Sequence, residues 1–568
     1  NAKFDMHYLG YHVGIDWSKV TVHDTMIMHY VLDERQGTHG LKSLAIKYTN
    51  LGDYDRDLDE FKKEYCKAHK LKQDEFFYSL IPWDILKVYA AKDTDATLQL
   101  YHKFYPIIKA NSRLEGLYEN MLMPALKFLY EMEENGIPLS SERLVLAQNE
   151  LYEVLQDLKG QLYSYDAVKE LEKSTGNIFN PNSVVQLRTL LFDVLKLPIP
   201  DKTTSTGAIS TDKEVLAELA QLHPIPKIIN DIKKTTKLLN TYITKLIGNV
   251  HSDGRIRTSF NLSTTTSGRL SSSGTFNMQQ LPRDNPIIKG CVKAPPGYKV
   301  VAADLTTAEV YYAAVLSKDR NLQAVFVNMQ KDPYKYPDFH SNIAHMVFNL
   351  PCEPAMVKKL FPALRQAAKA ITFGILYGSG PASVAEQVNL AKLEAGEPAD
   401  CSKEDAIGYI EVYFKKFPRL KQWIADCHDT IRQQGFIYNF FGRKRRLHNI
   451  SSSDRSVVAG EIRSGFNAII QSVSSDHLLL GAIEAHEEIK KSGLDAKIFA
   501  LVHDSVVASV REDQVDAYSE LLVSCLQRDR GCSIVGFPIG VEFDSEEGGS
   551  TDYSCGKLEE YYPELAAA

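Results

Sequence analysis

Apolar residues recur at helical spacing over much of this chain. From Leu114 to Asn135 they form one strong stripe that stops at Asn135-Gly136, a typical helix end. Ile85–Tyr101 and Ile225–Ile247 also read as helices, and residues 137–250 as long helices with Lys and Glu on their outer faces. Such an elongated helical segment suits gripping something long. Lys202–Gly207 is a loop by composition. After Arg257 the pattern changes. Val300–Ala303 predicts a buried strand closed by Asp304, with a helix running on through Ser317. Lys497–Val502 and Ser505–Val510 are apolar runs split by His503-Asp504, the pattern of a tight hairpin. Between these strand regions lies a mostly helical block, residues 325–437. A sheet with acids at its strand ends, flanked by helices, is a platform for catalysis.

Composition narrows the class. With 568 residues, 44% hydrophobic and 24% charged, the chain matches a globular protein of about three or four domains. No run of about 18 apolar residues predicts a membrane span. The net charge of −7 gives no global sign of nucleic-acid binding, although a local basic stripe would suffice. Eight scattered cysteines form no C-x-x-C pair, which fits reduced thiols in a cytosol-like compartment. No secretory signal is visible from Asn1 onward, and the expected location is the cytoplasm or an organelle matrix.

Pro362–Tyr377 predicts a helix with Pro at its start and Gly378-Ser-Gly-Pro381 as its stop. Arg365, Lys369, Phe373 and Tyr377 recur every four residues and share one strip. Two cations followed by two aromatics suit a polyphosphate joined to a flat base. The same spacing would also serve a solvated basic face above two core rings. Gly374 costs this helix about 1 kcal/mol relative to Ala, which implies a close approach there.

Asp304 and Asp504 each close or turn an apolar strand, where an unpaired carboxylate is costly to bury. Brought together they would repel unless cations bridged them. Mg²⁺ is the natural choice: two ions could activate a hydroxyl and stabilise the leaving oxygen of an in-line displacement, with Mn²⁺ as a substitute. Taken singly, either Asp also reads as a turn former or cap. In the helix Arg455–Lys490, Arg463, Asn467 and Gln471 step by four, while Arg269, Asn277, Gln279 and Gln280 lie in a polar segment before the sheet. Amides and guanidinium groups can read minor-groove acceptors independently of sequence. Gly442–Arg446 adds a basic cluster suited to phosphates, although runs of this size are commonly solvated.

Asp304–Glu309, Arg365–Gly378 and Val502–Asp504 resemble, in order and separation, motifs A, B and C of family A DNA polymerases. Ser267–Ser272 and Asn277–Pro282 resemble that family's primer-template segment, and Phe179–Ser183 and Ser210–Asp212 its thumb motifs. The resemblance covers nearly the whole chain. It implies an α+β multidomain right-hand polymerase, with a palm sheet and helical fingers and thumb, preceded by a partial RNase H-like 3′–5′ exonuclease domain. The expected divisions are a partial exonuclease unit at 1–105, thumb at 106–260, first palm part at 261–324, fingers at 325–437 and second palm part at 438–568.

The resemblance also implies roles. Asp304 and Asp504 would hold the metals with the Leu305 carbonyl. Arg365 and Lys369 would hold the triphosphate, Lys369 also as the acid for pyrophosphate. Phe373 would contact sugar and base, Glu309 exclude a 2′-hydroxyl, Tyr377 shape the nascent pair and His340 serve the β-phosphate. Arg269, Asn277, Gln280, Asn467 and Gln471 would meet the primer-template duplex, with Arg443 and His503 supporting the primer strand. Primed template DNA and dNTPs are the expected partners of a monomer; replisome partners are not legible.

Four positions depart from the family pattern: Leu305 for Tyr, Tyr311 for Arg, Ser505 for Glu and Gln366 for a second Arg. They look more phage-type than bacterial. Asn1–Asp5 and Tyr89–Asp93 resemble the second and third exonuclease motifs, marking Asp5, Tyr89 and Asp93. No Asp-x-Glu, the first motif, occurs in residues 1–93, so no editing is expected of the chain. A non-catalytic primer-template-binding protein and a single-subunit RNA polymerase relative are the alternatives.

Overall fold

The computed structural model describes all residues except 205, 206, 275, 283, 284, 395 and 568. The expected Lys202–Gly207 loop lies partly outside the described residues; Thr203 and Ile209 form an antiparallel bridge at its base.

Residues 1–136 contain helices and no strand, so the partial RNase H-like unit is represented by helices alone. They include α1 (Ala2–Val13), α2 (Trp83–Lys109) and α3 (Met123–Asn135). Gly136, at φ 64°, ends α3 where a side chain would be strained. The stripe from Leu114 is not one α-helix: a π turn at Tyr118–Leu122 interrupts it just before Pro124, which has no N–H to donate. A second π turn, Leu238–Ile243, splits the helix expected from Ile225. The helix α4 (Ser141–Ser164) lies beside these polar-faced helices, burying Leu144, Leu151, Leu155 and Leu162 along one face.

The largest sheet among the described residues is antiparallel, in the order β4 (Val541–Phe543), β1 (Tyr298–Leu305), β3 (Ser505–Arg511), β2 (Ala496–Val502). The apolar centres of β1 and β3 are buried, as continuous Val and Ala runs require. Asp304 lies opposite both Ser505 and Glu542. After β1 the chain turns through Thr307, at φ 52°, into α5 (Ala308–Ser317). The helix α6 (Pro362–Leu376) follows within the helical block, and α7 (Arg455–Ser492) packs against the sheet. No helix among the described residues is long and apolar enough to cross a membrane.

Candidate active site

The β2–β3 hairpin places Asp504 at the end of β1. His503 takes φ 55°, as a two-residue turn demands, and the Asp504 carbonyl accepts the Leu305 N–H at 3.2 Å. That bond fixes the backbones of the two strand-end acids side by side. Ser474 Oγ on α7 lies 3.5 Å from Asp504 Oδ1. Gln279 braces the turn, accepting the His503 N–H at 3.1 Å and donating to the Leu501 carbonyl at 2.6 Å. Among the described residues no three His, Cys, Asp or Glu side chains group to hold a metal ion. Two carboxylates and the Leu305 carbonyl fit Mg²⁺, which keeps several waters and takes its remaining ligands from substrate phosphates.

The α6 strip forms as its spacing predicts. Lys369 is exposed; Arg365, Phe373 and Tyr377 are half-buried. The Phe373 and Tyr377 rings lie 5.9 Å apart at 16°, nearly parallel. Gly374 answers its helix cost: a Cβ there would sit 2.9 Å from Val384 Cγ2, on the following helix. Arg365 Nη2 lies 3.0 Å from Asp338 Oδ1, and its Nε donates to the same carboxylate. Asp338 also caps the helix carrying His340 by accepting the Ser341 N–H at 2.9 Å. Burial would push the Asp338 carboxyl up, but its Ser341 hydrogen bonds and the Arg365 charge hold it below the usual range. His340 is pushed down to about 4, first by burial and then by Lys369 and Arg365. Its Nδ1 is buried without a hydrogen-bond partner.

Buried Glu309 joins three segments. It accepts from Arg269 Nη2 at 2.7 Å and from the Tyr377 hydroxyl. Burial, then this bond, raises the Tyr377 phenol well above its usual range. Asn467 and Gln471 share a face of α7, with the Asn467 Oδ1 buried and unpaired. Asn277 Oδ1 caps a short turn, accepting the Gln279 N–H at 3.0 Å, while Gln280 is exposed.

The basic cluster differs from its sequence reading. Arg443 is buried against Asp476, with Nη2 at 2.7 Å. Arg446 and Arg445 approach buried Glu34, so two of the cluster's charges are drawn to the amino-terminal unit. Tyr311, in the position of an expected Arg, is buried; its hydroxyl donates to the Phe537 carbonyl and accepts the Ile534 N–H. In the amino-terminal unit, Lys42 and the Tyr54 hydroxyl both donate to Asp93 Oδ1, and the Lys42 ammonium lies 4.0 Å from the Tyr89 ring centre. Asp5 is raised, first by burial and further by Asp24 and Asp93 against the amino terminus.

Sequence reasoning missed Asp338 as the partner of Arg365, Gln279 as the brace of the hairpin turn, and Asp544. The last lines a cavity of about 220 Å³ beside Asp304, together with Ser505, Tyr553 and Lys289.

Comparison with known proteins agrees with this architecture. The DNA polymerase family A profile matches residues 148–547, and a 3′–5′ exonuclease profile matches residues 1–109. The DNA polymerase of Escherichia phage T5 is 60% identical over 577 residues, covering 100% of this chain and 68% of that protein. DNA polymerase I of Pseudomonas aeruginosa is 30% identical, covering 95% of this chain and 55% of its own length. The chain thus spans about two thirds of the first relative and about half of the second. The POL domain of Pol1 from M. smegmatis, in complex with DNA primer-template and dNTP, superposes with a TM-score of 0.73 at 25% identity, covering 98% of this chain and 86% of that one. The motif order, the antiparallel sheet with its strand-end aspartates and these matches agree: the chain belongs to DNA polymerase family A.

Proposed function

We propose that the chain extends a DNA primer on a template with dNTPs, releasing pyrophosphate. The observation that carries this reading is the α6 strip, whose last ring, Tyr377, bonds Glu309 in the first turn of the helix that follows the Asp304 strand. The primer 3′-hydroxyl gives its proton to solvent water as its oxygen bonds the α-phosphorus; the α–β phosphoanhydride bond breaks, and its electron pair leaves on pyrophosphate. Arg365 and Lys369 hold the triphosphate, and Lys369 supplies a proton to the departing pyrophosphate. Phe373 and Tyr377 stack on the base and sugar, while Glu309 leaves no room for a 2′-hydroxyl. Asp304, Asp504 and the Leu305 carbonyl hold two Mg²⁺ ions. Bound there, the ions supply charge stabilisation to the attacking and leaving oxygens. Arg269, Asn277, Gln280, Asn467, Gln471 and His503 face the duplex. Residues 1–105, 106–260, 261–324 with 438–568, and 325–437 are read as exonuclease-like unit, thumb, palm and fingers.

We further infer that residues 1–568 do not edit. Lys42 places its own positive charge on Asp93, which competes with a metal ion for that carboxylate. Metal-dependent trimming of single strands that disappears in Asp5→Ala would overturn this.

The deciding experiment is Mg²⁺-dependent extension of a labelled primer, with dNTPs and rNTPs in separate reactions, for the protein and Asp304→Asn. Extension with dNTPs alone, reduced about a thousandfold or more in the variant with duplex binding retained, is expected. Extension surviving Asp304→Asn would sink the metal assignment. Tight duplex binding without extension would favour a binding protein, and equal use of rNTPs an RNA polymerase relative.

A further inference from the structure

The amino-terminal unit reaches the nucleotide site through a chain of hydrogen bonds. Its helix Thr25–Leu32 is capped by Asp24, which accepts the Met26 and Ile27 N–H groups. Tyr30 on this helix is buried, and its hydroxyl donates to the Thr265 carbonyl at 2.8 Å, 235 residues further along the chain. The same hydroxyl accepts from the Arg443 guanidinium.

Thr265 opens a tight turn. Its carbonyl also accepts the Gly268 N–H at 3.4 Å, and its own hydroxyl donates to the Arg269 carbonyl at 2.6 Å. Gly268 is buried at φ 79°, and a Cβ there would stand 2.5 Å from Arg443 Nε, so the turn lies directly on that guanidinium. Arg443 is held in its turn by Asp476. These contacts fix the point at which Arg269 leaves the turn. Arg269 Nη2 then donates to Glu309 Oε1 at 2.7 Å, while the Tyr377 hydroxyl takes Glu309 Oε2. Every link from Tyr30 to Tyr377 is a hydrogen bond or a part of this turn.

The energetic role of the turn follows from the length of Arg269. A long, partly exposed side chain loses rotamer freedom when it is held on one partner. A backbone already fixed at its base lowers that cost. Glu309 is restrained by two donors on separate oxygens, and loosening either one gives its carboxylate room to swing.

We propose that Tyr30 is a positioning residue for nucleotide selection: it holds the Thr265–Arg269 turn, and through Arg269 it holds Glu309 against the sugar. The proposal rests on the reading of Glu309 as the group that excludes a 2′-hydroxyl. The amino-terminal unit thereby serves the polymerase site without editing.

The test uses the full 568-residue chain. Tyr30→Phe removes one oxygen and keeps the ring; Thr265→Ala breaks the next link from the polymerase side and leaves the carbonyl in place. Each is expected to lower the ratio of kcat/KM for dNTP over rNTP by about threefold or more, the scale on which one hydrogen bond shifts an equilibrium. In a Glu309→Ala background Tyr30→Phe is expected to change the ratio no further, because its path runs through Glu309. Hydrogen exchange over residues 265–270 should rise in Tyr30→Phe. Tyr105→Phe is the control, since it loses a hydroxyl bond to Glu119 within the same unit and should move neither readout. A structural role alone would lower thermal stability and leave the ratio unmoved. Extension by the unaltered chain with an unchanged ratio in both Tyr30→Phe and Thr265→Ala overturns this proposal alone. An equal effect of Tyr30→Phe with and without Glu309 also overturns it. An unaltered chain that extends no primer sinks the polymerase reading and this proposal together.

Discussion

Tyr377, at the end of α6, donates its hydroxyl proton to Glu309 in the first turn of α5, and Arg269 donates to the other carboxylate oxygen. One buried side chain therefore fastens the helix that carries Arg365 and Lys369 to the helix that follows Asp304. A hydrogen bond to a charged group contributes about 1.5–3 kcal/mol. Removing Glu309 frees Tyr377 and leaves Arg269 without its partner.

Glu309→Ala is accordingly expected to lower thermal stability and to admit a 2′-hydroxyl into the vacated space. The ratio of kcat/KM for dNTP over rNTP should fall by about tenfold or more, the range in which one small group in a pocket discriminates. Glu309→Gln, which keeps the shape and can still accept from Tyr377, should fall by less. Steady-state incorporation of a single matched nucleotide measures both. An unchanged ratio in Glu309→Ala would remove Glu309 from sugar selection.

His340 is held down to about 4 by burial and by the cations Lys369 and Arg365. Its ring is neutral at pH 7, with an unpaired Nδ1 ready to accept or donate. An unfolded histidine titrates near 6.5, so protons favour the unfolded chain between that value and about 4. The contribution of His340 to stability therefore declines as pH falls through this window. Replacing it with Asn should flatten that part of the stability profile. Bound triphosphate brings negative charge to the site and should raise the ring's pKa, a shift that histidine-detected NMR titration reads directly. No rise on addition of dNTP would place His340 outside phosphate contact.

Asp338 pairs with Arg365 while capping its own helix. Asn caps a helix nearly as well as Asp, so Asp338→Asn isolates the charge. Both side chains are under one third exposed, and the loss at neutral pH should be about 1 kcal/mol. The native carboxyl lies below its unfolded value, so its contribution is present above the usual carboxylate range and disappears as pH falls through the native value. Thermal unfolding of the two proteins should converge in strong acid. Arg365 freed of Asp338 should also bind triphosphate at least as well, giving an equal or lower KM for dNTP.

The chemistry nearest the backbone was the most legible. The α6 strip follows from helix period alone, and Gly374 announced the close contact that Val384 makes. Strand-end acids at Asp304 and Asp504 were readable as separate features; what joins them, a Leu305–Asp504 backbone bond, depends on strand pairing across two hundred residues. Partners fixed by tertiary packing left no local trace. Arg443 looked like part of a solvated phosphate cluster because Asp476 lies 33 residues away on α7, and Arg446 because Glu34 lies 412 residues away. Asn277 looked like a duplex contact and serves also as a turn cap, since the same amide can do either. The π turns at Tyr118 and Leu238 keep an apolar stripe nearly continuous, so periodicity reads through them.

Glu34 gives the last test. It is 4% exposed, accepts from both the backbone N–H and the guanidinium of Arg446, and lies 3.7 Å from Arg445. Here the amino-terminal unit offsets one of the charges of a hairpin strand that carries three adjacent cations, Lys444, Arg445 and Arg446. Breaking a buried pair by removing one partner costs about 3–5 kcal/mol, and the partial exposure of the arginines places this case near the lower end. Glu34→Gln retains the acceptor for the N–H but removes the charge, so the amino-terminal unit should unfold at lower temperature than the polymerase body, splitting one calorimetric transition into two. Arg446→Gln, which removes the cation instead, should weaken the same contact while lowering duplex affinity if the freed strand faces DNA. Primer-template binding measured across a salt series separates the two effects, because only a phosphate contact changes the salt slope. A single unshifted transition in Glu34→Gln would show that the two parts are held together elsewhere.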